Sequence, residues 1–193
     1  RMAFFPEDFV KKNRRILCRI LREGHELGIH GWKHRAWTRG LEKINIEKHI
    51  IMAKERYERI FGKSPTSFAA PAFRTNAKTL KILSDSGFRT ISDIPMKASG
   101  KISTGGKNQL MNVPITICGP NKTPIIEYLA SKGYSDREIL DCLKKEIKGK
   151  KFASIYFHDL FECRMKIGLL SSLFEFLEES NIKVKTIEEI AGK

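Results

Sequence analysis

Short apolar runs alternate with amphipathic helices along most of this chain, and that alternation restricts its fold more sharply than composition does. Residues 8–23, "DFVKKNRRILCRILRE", place Phe9, Ile16, Leu17, Ile20 and Leu21 on one helical stripe and stop at Gly24. "ELGIH" then reads as a short strand. Residues 45–61 read as a helix capped by Asn45 and stopped by Gly62, and "TSFAAP" as a strand ending at Pro71. "NAKTLKILSDSG" is a helix between Asn76 and Gly87, with "FRTISD" as the next strand. "KASGKISTGGKNQ" reads as an exposed loop, and "LMNVPITI" as a strand that Pro114 confines to an edge or an end. Ser135 caps "DREILDCLKKEIKG", "FASIYF" is the most β-like run, residues 165–179 form a helix, and "IKVKTI" precedes a short terminal helix. Strands separated by helices call for βαβ crossovers and a parallel sheet, closed as a (β/α) barrel in a single domain over residues 1–193.

In parallel β/α architectures, active groups collect at the C-terminal ends of the strands. Three of these strands end in unusual chemistry: "ELGIH" at His30, "TSFAAP" before "AFRTN", and "FASIYF" at His158. His30 and His34 are four apart, a spacing that lets two imidazoles meet one metal, and His158 can supply a third ligand. Two surface histidines near aromatic residues are the plainer reading of that spacing. Arg74 follows a run of small residues and proline, where it can hold a carboxylate or phosphate, with Asp93 as its partner; ordinary salt bridging is the alternative. Trp32 and Trp37 can line a sugar face or simply pack. His25 and His49 read as structural or solvated.

The charge balance of 36 Lys+Arg against 22 Asp+Glu, +14 net, suits an anionic partner such as lipid, nucleic acid or a phosphorylated substrate, or else a solvated basic face. Four dispersed cysteines without a C-x-x-C pair argue against a zinc ribbon and fit a reducing compartment. No apolar run is long enough to span a membrane.

"REGHELGIHGWKHRAW" resembles the second motif of the NodB-homology polysaccharide deacetylases, in which Gly-His-Glu precedes a His-x-x-x-His metal pair. "FASIYFHDLFE" resembles their late motif, an apolar strand ending in a functional histidine. Within the family, "HGWKHRAW", "SFAAPAFR", "ISD" and "VPIT" are similar to the 4-deoxy-4-formamido-L-arabinose-phosphoundecaprenol deformylase group. The resemblance implies a distorted (β/α) barrel of the polysaccharide deacetylase type. It implies a divalent metal, usually zinc, held by His30, His34 and an aspartate. His158 becomes the general acid instead of a third ligand, with Arg74 orienting the base, Asp93 supporting Arg74, and Glu162, Trp32 and Trp37 near the substrate.

The implied reaction removes an N-acetyl or N-formyl group from an amino sugar, in a polysaccharide or carried on a polyprenyl phosphate. It brings a cytoplasmic location with peripheral membrane association, and no nucleic-acid partner. Two departures bear on it. The family's first motif, an Asp-Asp or Asp-Val-Asp carrying the base and the third ligand, is expected upstream of "AFF", so the barrel is expected to lack its first strand and helix and the chain to be impaired in catalysis. The usual Arg-Pro-Pro reads "AAPAFR", with the arginine after the proline. A non-catalytic relative using its basic surface on membrane or nucleic acid is the alternative.

Overall fold

A computed structural model describes residues 2–5, 7–93, 100–158 and 160–192, without the side chains of residues 2–9 and 11. The chain packs as two compact units. The first comprises Arg1–Ile94, Ser99–Pro114 and Lys185–Lys193, and the second Pro95–Ala98 and Ile115–Val184.

The first unit runs β1 (Met2–Phe5), α1 (Glu7–Arg22), β2 (Glu26–Ile29), α2 (His34–Gly40), α3 (Ile46–Phe61), β3 (Ser67–Phe68), α4 (Ala77–Asp85), β4 (Thr90–Ile91), β5 (Gly100–Ile102) and β6 (Leu110–Asn112). Its sheet has the order β1-β2-β3-β4-β6-β5. Every described pairing is parallel except β5 with β6. The expected α/β architecture is therefore present.

Local chemistry sets the helix ends. Asn45 accepts the Lys48 N–H at 3.0 Å, and Gly62 closes α3 in the left-handed region at φ 69°. Ile46, Ile50, Ala53 and Tyr57 turn one face of α3 into the core. In α1, Val10 and Leu17 are buried, whereas Ile16 is 56% exposed, which corrects the expected apolar stripe. One residue turns a helix by about 100°, so Ile16 points away from Leu17 toward the charged side. The Phe9 side chain lies outside the described residues.

The "KASGKISTGGKNQ" stretch is not wholly loop: residues 100–102 form β5, antiparallel to β6, while residues 97–99 lie outside the described residues. At the starts of the strands, a buried polar cluster links Glu26, Ser67 and Thr90. Tyr57 beside it donates to the Leu27 carbonyl, and burial, with Glu188 and Glu26 nearby, pushes its hydroxyl up to about 12.

The second unit contains α5 (Ile125–Ser131), α6 (Asp136–Lys148), α7 (Glu162–Met165) and α8 (Ile167–Glu179) around Ile117, Ile126, Ile139, Leu143 and Leu173. Ser135 and Glu138 form a reciprocal capping box that starts α6. "FASIYF" does not form a regular strand: Ile155 makes a single parallel bridge to Ile117. The Thr116 hydroxyl takes the Ser154 N–H at 2.9 Å, so a side chain occupies a donor that a longer ladder needs. The chain then returns to the first unit, where α9 (Ile187–Ile190) follows an irregular residue 182–186 segment instead of a strand. Among the described residues, no helix is long and apolar enough to cross a membrane.

Candidate metal and acid sites

β2, β3 and β4 deliver His30, the Ala69–Arg74 loop and Asp93 to the C-terminal edge of one parallel sheet. His30 follows the last residue of β2 and is half-buried, with Nδ1 2.7 Å from the Ala69 carbonyl oxygen. A carbonyl only accepts, so that contact assigns the proton to Nδ1 and the ring lone pair to Nε2. Gly31 then turns the chain at φ +78°, where an added Cβ would sit 3.3 Å from the Pro71 ring. His34 opens α2 on the exposed side, and its ring centroid lies 5.1 Å from that of His30. The sequence-expected pair is thus brought together. Trp32 lies between them in sequence, partly buried, with the Arg56 guanidinium carbon 5.3 Å from its ring centroid.

The loop after β3 is held from several directions. Ala69 donates to the Ile29 carbonyl at 3.0 Å while its own carbonyl accepts from His30. Ala70 donates to both oxygens of buried Asp93, at 2.8 and 2.9 Å. These side chains take backbone groups that would otherwise extend the strand, so β3 is only two residues long. Ala72 and Phe73 then adopt φ 53° and 54°, a left-handed geometry that non-glycine residues hold only when neighbours enforce it.

Two expected roles change here. Arg74 donates to the Thr38 carbonyl at 2.5 Å and to Glu42 at 3.0 Å, so its carboxylate partner among the described residues is Glu42, not Asp93. Trp37 cannot line a sugar face, because it is fully buried, tilted against Phe68, and donates its indole N–H to the Arg74 carbonyl at 2.9 Å.

In the second unit, His158 directs Nδ1 at Glu127 Oε1, 2.6 Å away, and its ring stands edge-on to Tyr156 at 5.7 Å. Glu127 lies on α5, 31 positions earlier, and the sequence reading missed it; no spacing rule joins the two. Glu162 is 0% exposed and so does not reach substrate as expected. Its Oε2 accepts the His158 backbone N–H at 2.8 Å, and Oε1 is buried without a hydrogen-bond partner among the described residues. Burial holds its carboxyl above the ordinary range, partly opposed by the His158 amide. Glu162 therefore positions the His158 backbone.

Among the described residues, no group of three or more His, Cys, Asp or Glu side chains forms a complete metal site. The His30–His34 pair nevertheless fits two ligands of a zinc set, because the carbonyl bond on Nδ1 is the outer contact that fixes a ligating imidazole. His25 and His49 each bury an Nδ1 without a hydrogen-bond partner among the described residues. Burial, then Lys33 and Lys48, lowers the pKa of His49.

Comparison with known proteins finds relatives of the chain. Residues 2–91 match the polysaccharide deacetylase family. A Wigglesworthia glossinidia brevipalpis protein named for 4-deoxy-4-formamido-L-arabinose-phosphoundecaprenol deformylase (ArnD) is 31% identical over 104 residues, 48% of this chain and 34% of the relative. A peptidoglycan-N-acetylglucosamine deacetylase from Bacillus cereus is 28% identical over 90 residues, 46% of this chain and 41% of the relative. These matches thus span about a third to two-fifths of the curated relatives' lengths. A polysaccharide deacetylase structure from Mycobacterium smegmatis shares the fold, with a TM-score of 0.79 and 18% identity over 98% of this chain and 70% of that one.

Proposed function

Because residues 2–91 match the polysaccharide deacetylase family, we propose that the chain serves a divalent-metal-dependent hydrolase that removes an N-acetyl or N-formyl group from an amino sugar. The observation that carries this reading is the His30 Nδ1 contact with the Ala69 carbonyl, which leaves the lone pair on Nε2, in a ring whose centroid lies 5.1 Å from that of His34. His30 and His34 would hold the metal, most suitably zinc given two imidazole donors. When bound, such an ion polarises an amide carbonyl and lowers the pKa of water.

The protein's own residues do the rest. Asp93 fixes Ala70 and so steadies the neighbouring carbonyl that orients His30. Arg74 is tied to α2 through Trp37 and Thr38, which ties this loop to the helix that starts with His34. Trp32 is the aromatic residue retained for sugar contact. His158 is assigned proton delivery to the leaving amine: Glu127 engages Nδ1, which assigns the transferable proton to Nε2.

A substrate carried on a polyprenyl phosphate in the cytoplasm, at the membrane, is the finer form of this reading. The name of the Wigglesworthia relative and the +14 charge support it. The test measures formate and acetate release from N-formyl and N-acetyl amino sugars with added zinc, using this chain and one extended through its upstream coding sequence. His30→Ala and His158→Ala are each expected to lower release by about 100-fold or more. Release that survives both substitutions, or none from either protein, would overturn the proposal.

A further inference from the structure

The first unit carries 24 Lys and Arg against 12 Asp and Glu, so +12 of the chain's +14 net charge belongs to it. A third of that excess lies on α1, which has six Lys and Arg against two Asp and Glu. Val10 and Leu17 bury one side of the helix, while Lys12, Arg14, Arg15, Arg19 and Arg22 are exposed on the rest. Arg15, Arg19 and Arg22 are spaced three or four apart along one side of the helix, and Ile16 stands at the border of that side, three residues before Arg19. Arg19 pairs with Glu23 at 2.6 Å, whereas Lys12, Arg14, Arg15 and Arg22 have no carboxylate ion-pair partner among the described residues. Within this cationic face stands Ile16, 56% exposed, and α3 packed beside α1 exposes Ile51 at 43%.

We infer that the outer face of α1 docks on an anionic phospholipid bilayer. Cations with an exposed aliphatic residue among them match an interface where headgroups meet acyl chains. A nucleic-acid backbone rewards the cations but offers Ile16 no apolar partner, so the bilayer is the better occupant. The helix lies on the membrane and does not cross it, consistent with its length and charge. This surface deepens the membrane part of the proposed function without resting on its hydrolase chemistry, and its test contains no amino sugar.

The test is co-sedimentation of the full chain with phosphatidylcholine vesicles, with and without phosphatidylglycerol, over a salt series. Binding is expected only with phosphatidylglycerol and is expected to weaken as salt screens it. Lys12→Glu/Arg15→Glu/Arg22→Glu is expected to lower vesicle affinity by about 100-fold, from roughly 1 kcal/mol per surface cation. Ile16→Ser, which keeps every charge, is expected to lower it by several-fold. A control triple in the second unit, Lys145→Glu/Lys151→Glu/Lys183→Glu, makes the same net-charge change and is expected to keep most of the binding. Circular dichroism confirms that each variant is folded, and Lys12→Gln/Arg15→Gln/Arg22→Gln replaces the first triple if it is not. Equal losses from both triples would reduce the effect to net charge and overturn the inference. So would insensitivity to the Ile16 substitution, or tighter binding to single-stranded RNA than to vesicles.

Discussion

Replacing Gly31 with alanine perturbs the turn that brings His30 and His34 together. Gly31 has φ +78°, and an added Cβ would lie 3.3 Å from Pro71 Cγ and 3.4 Å from Trp37 Cε3. Gly62, at the end of α3, has nearly the same conformation, φ +69°, with nothing within 4 Å of the added carbon. Either substitution forces alanine into the left-handed region at about 1–2 kcal/mol. Stiffening the unfolded chain offsets roughly 0.4–1 kcal/mol of that. Gly62→Ala should therefore cost about 0.5–1 kcal/mol. Gly31→Ala adds crowding against a proline ring and a buried indole, which brings its total to about 2–4 kcal/mol. Trp32 and Trp37 are the chain's two tryptophans and both lie in the first unit, so indole fluorescence during urea unfolding reports on that unit. Zinc affinity is the second readout: Gly31→Ala should weaken it by about tenfold or more, while Gly62→Ala leaves it unchanged. Equal unfolding midpoints for the two variants, or undiminished zinc binding by Gly31→Ala, would refute the reasoning.

Other substitutions probe the remaining contacts. Trp37→Phe leaves the Arg74 carbonyl without its donor and should destabilise the first unit by about 1–3 kcal/mol, measured by urea unfolding followed by circular dichroism. Asp93→Ala should cost about 1.5–3 kcal/mol and Asp93→Asn less, since the amide oxygen can still accept the Ala70 N–H; equal costs in thermal melts would contradict this. Ser135→Ala removes one half of the capping box and should cost about 1 kcal/mol, seen as faster amide exchange in the first turn of α6. Glu162 has its folded-state pKa raised by burial, so the folded protein takes up this proton before the unfolded chain does as pH falls. Its contribution to stability therefore grows on acidification from that raised value into the ordinary carboxylate range, and is lost as pH rises. Glu162→Gln should flatten this dependence, and a stability difference from the parent protein that stays constant between about pH 7 and pH 4 would contradict it.

Much of the fold is legible locally. Asn45 and Gly62 mark both ends of α3, and Ser135 marks the start of α6, because cap residues act on backbone groups a few positions away. The strand-end histidines are legible for a similar reason: His30 and His34 lie on either side of one turn. Sequence pattern falters where distant groups compete for the backbone. "TSFAAP" yields a two-residue strand because Asp93 claims the Ala70 N–H and His30 claims the Ala69 carbonyl. "FASIYF" shrinks to one bridge because Thr116 takes the Ser154 N–H. Partner choice is equally hidden, since Arg74 reaches Glu42 instead of Asp93, and His158 reaches Glu127 on a helix that carries no motif. Trp37 looks like a ligand platform beside the histidine pair, yet its side of α2 faces the core.

The most direct measurement is a long-range proton–nitrogen NMR spectrum of the five histidines, recorded through a zinc titration. Before zinc, His30 should show the Nδ1–H tautomer that its Ala69 contact requires. On addition of zinc, His30 Nε2 and the His34 ring should shift together at one equivalent, while His25 and His49 stay in place. An Nε2–H tautomer at His30, or zinc shifts that bypass His30 and His34, would contradict the assignment of this pair as the metal ligands.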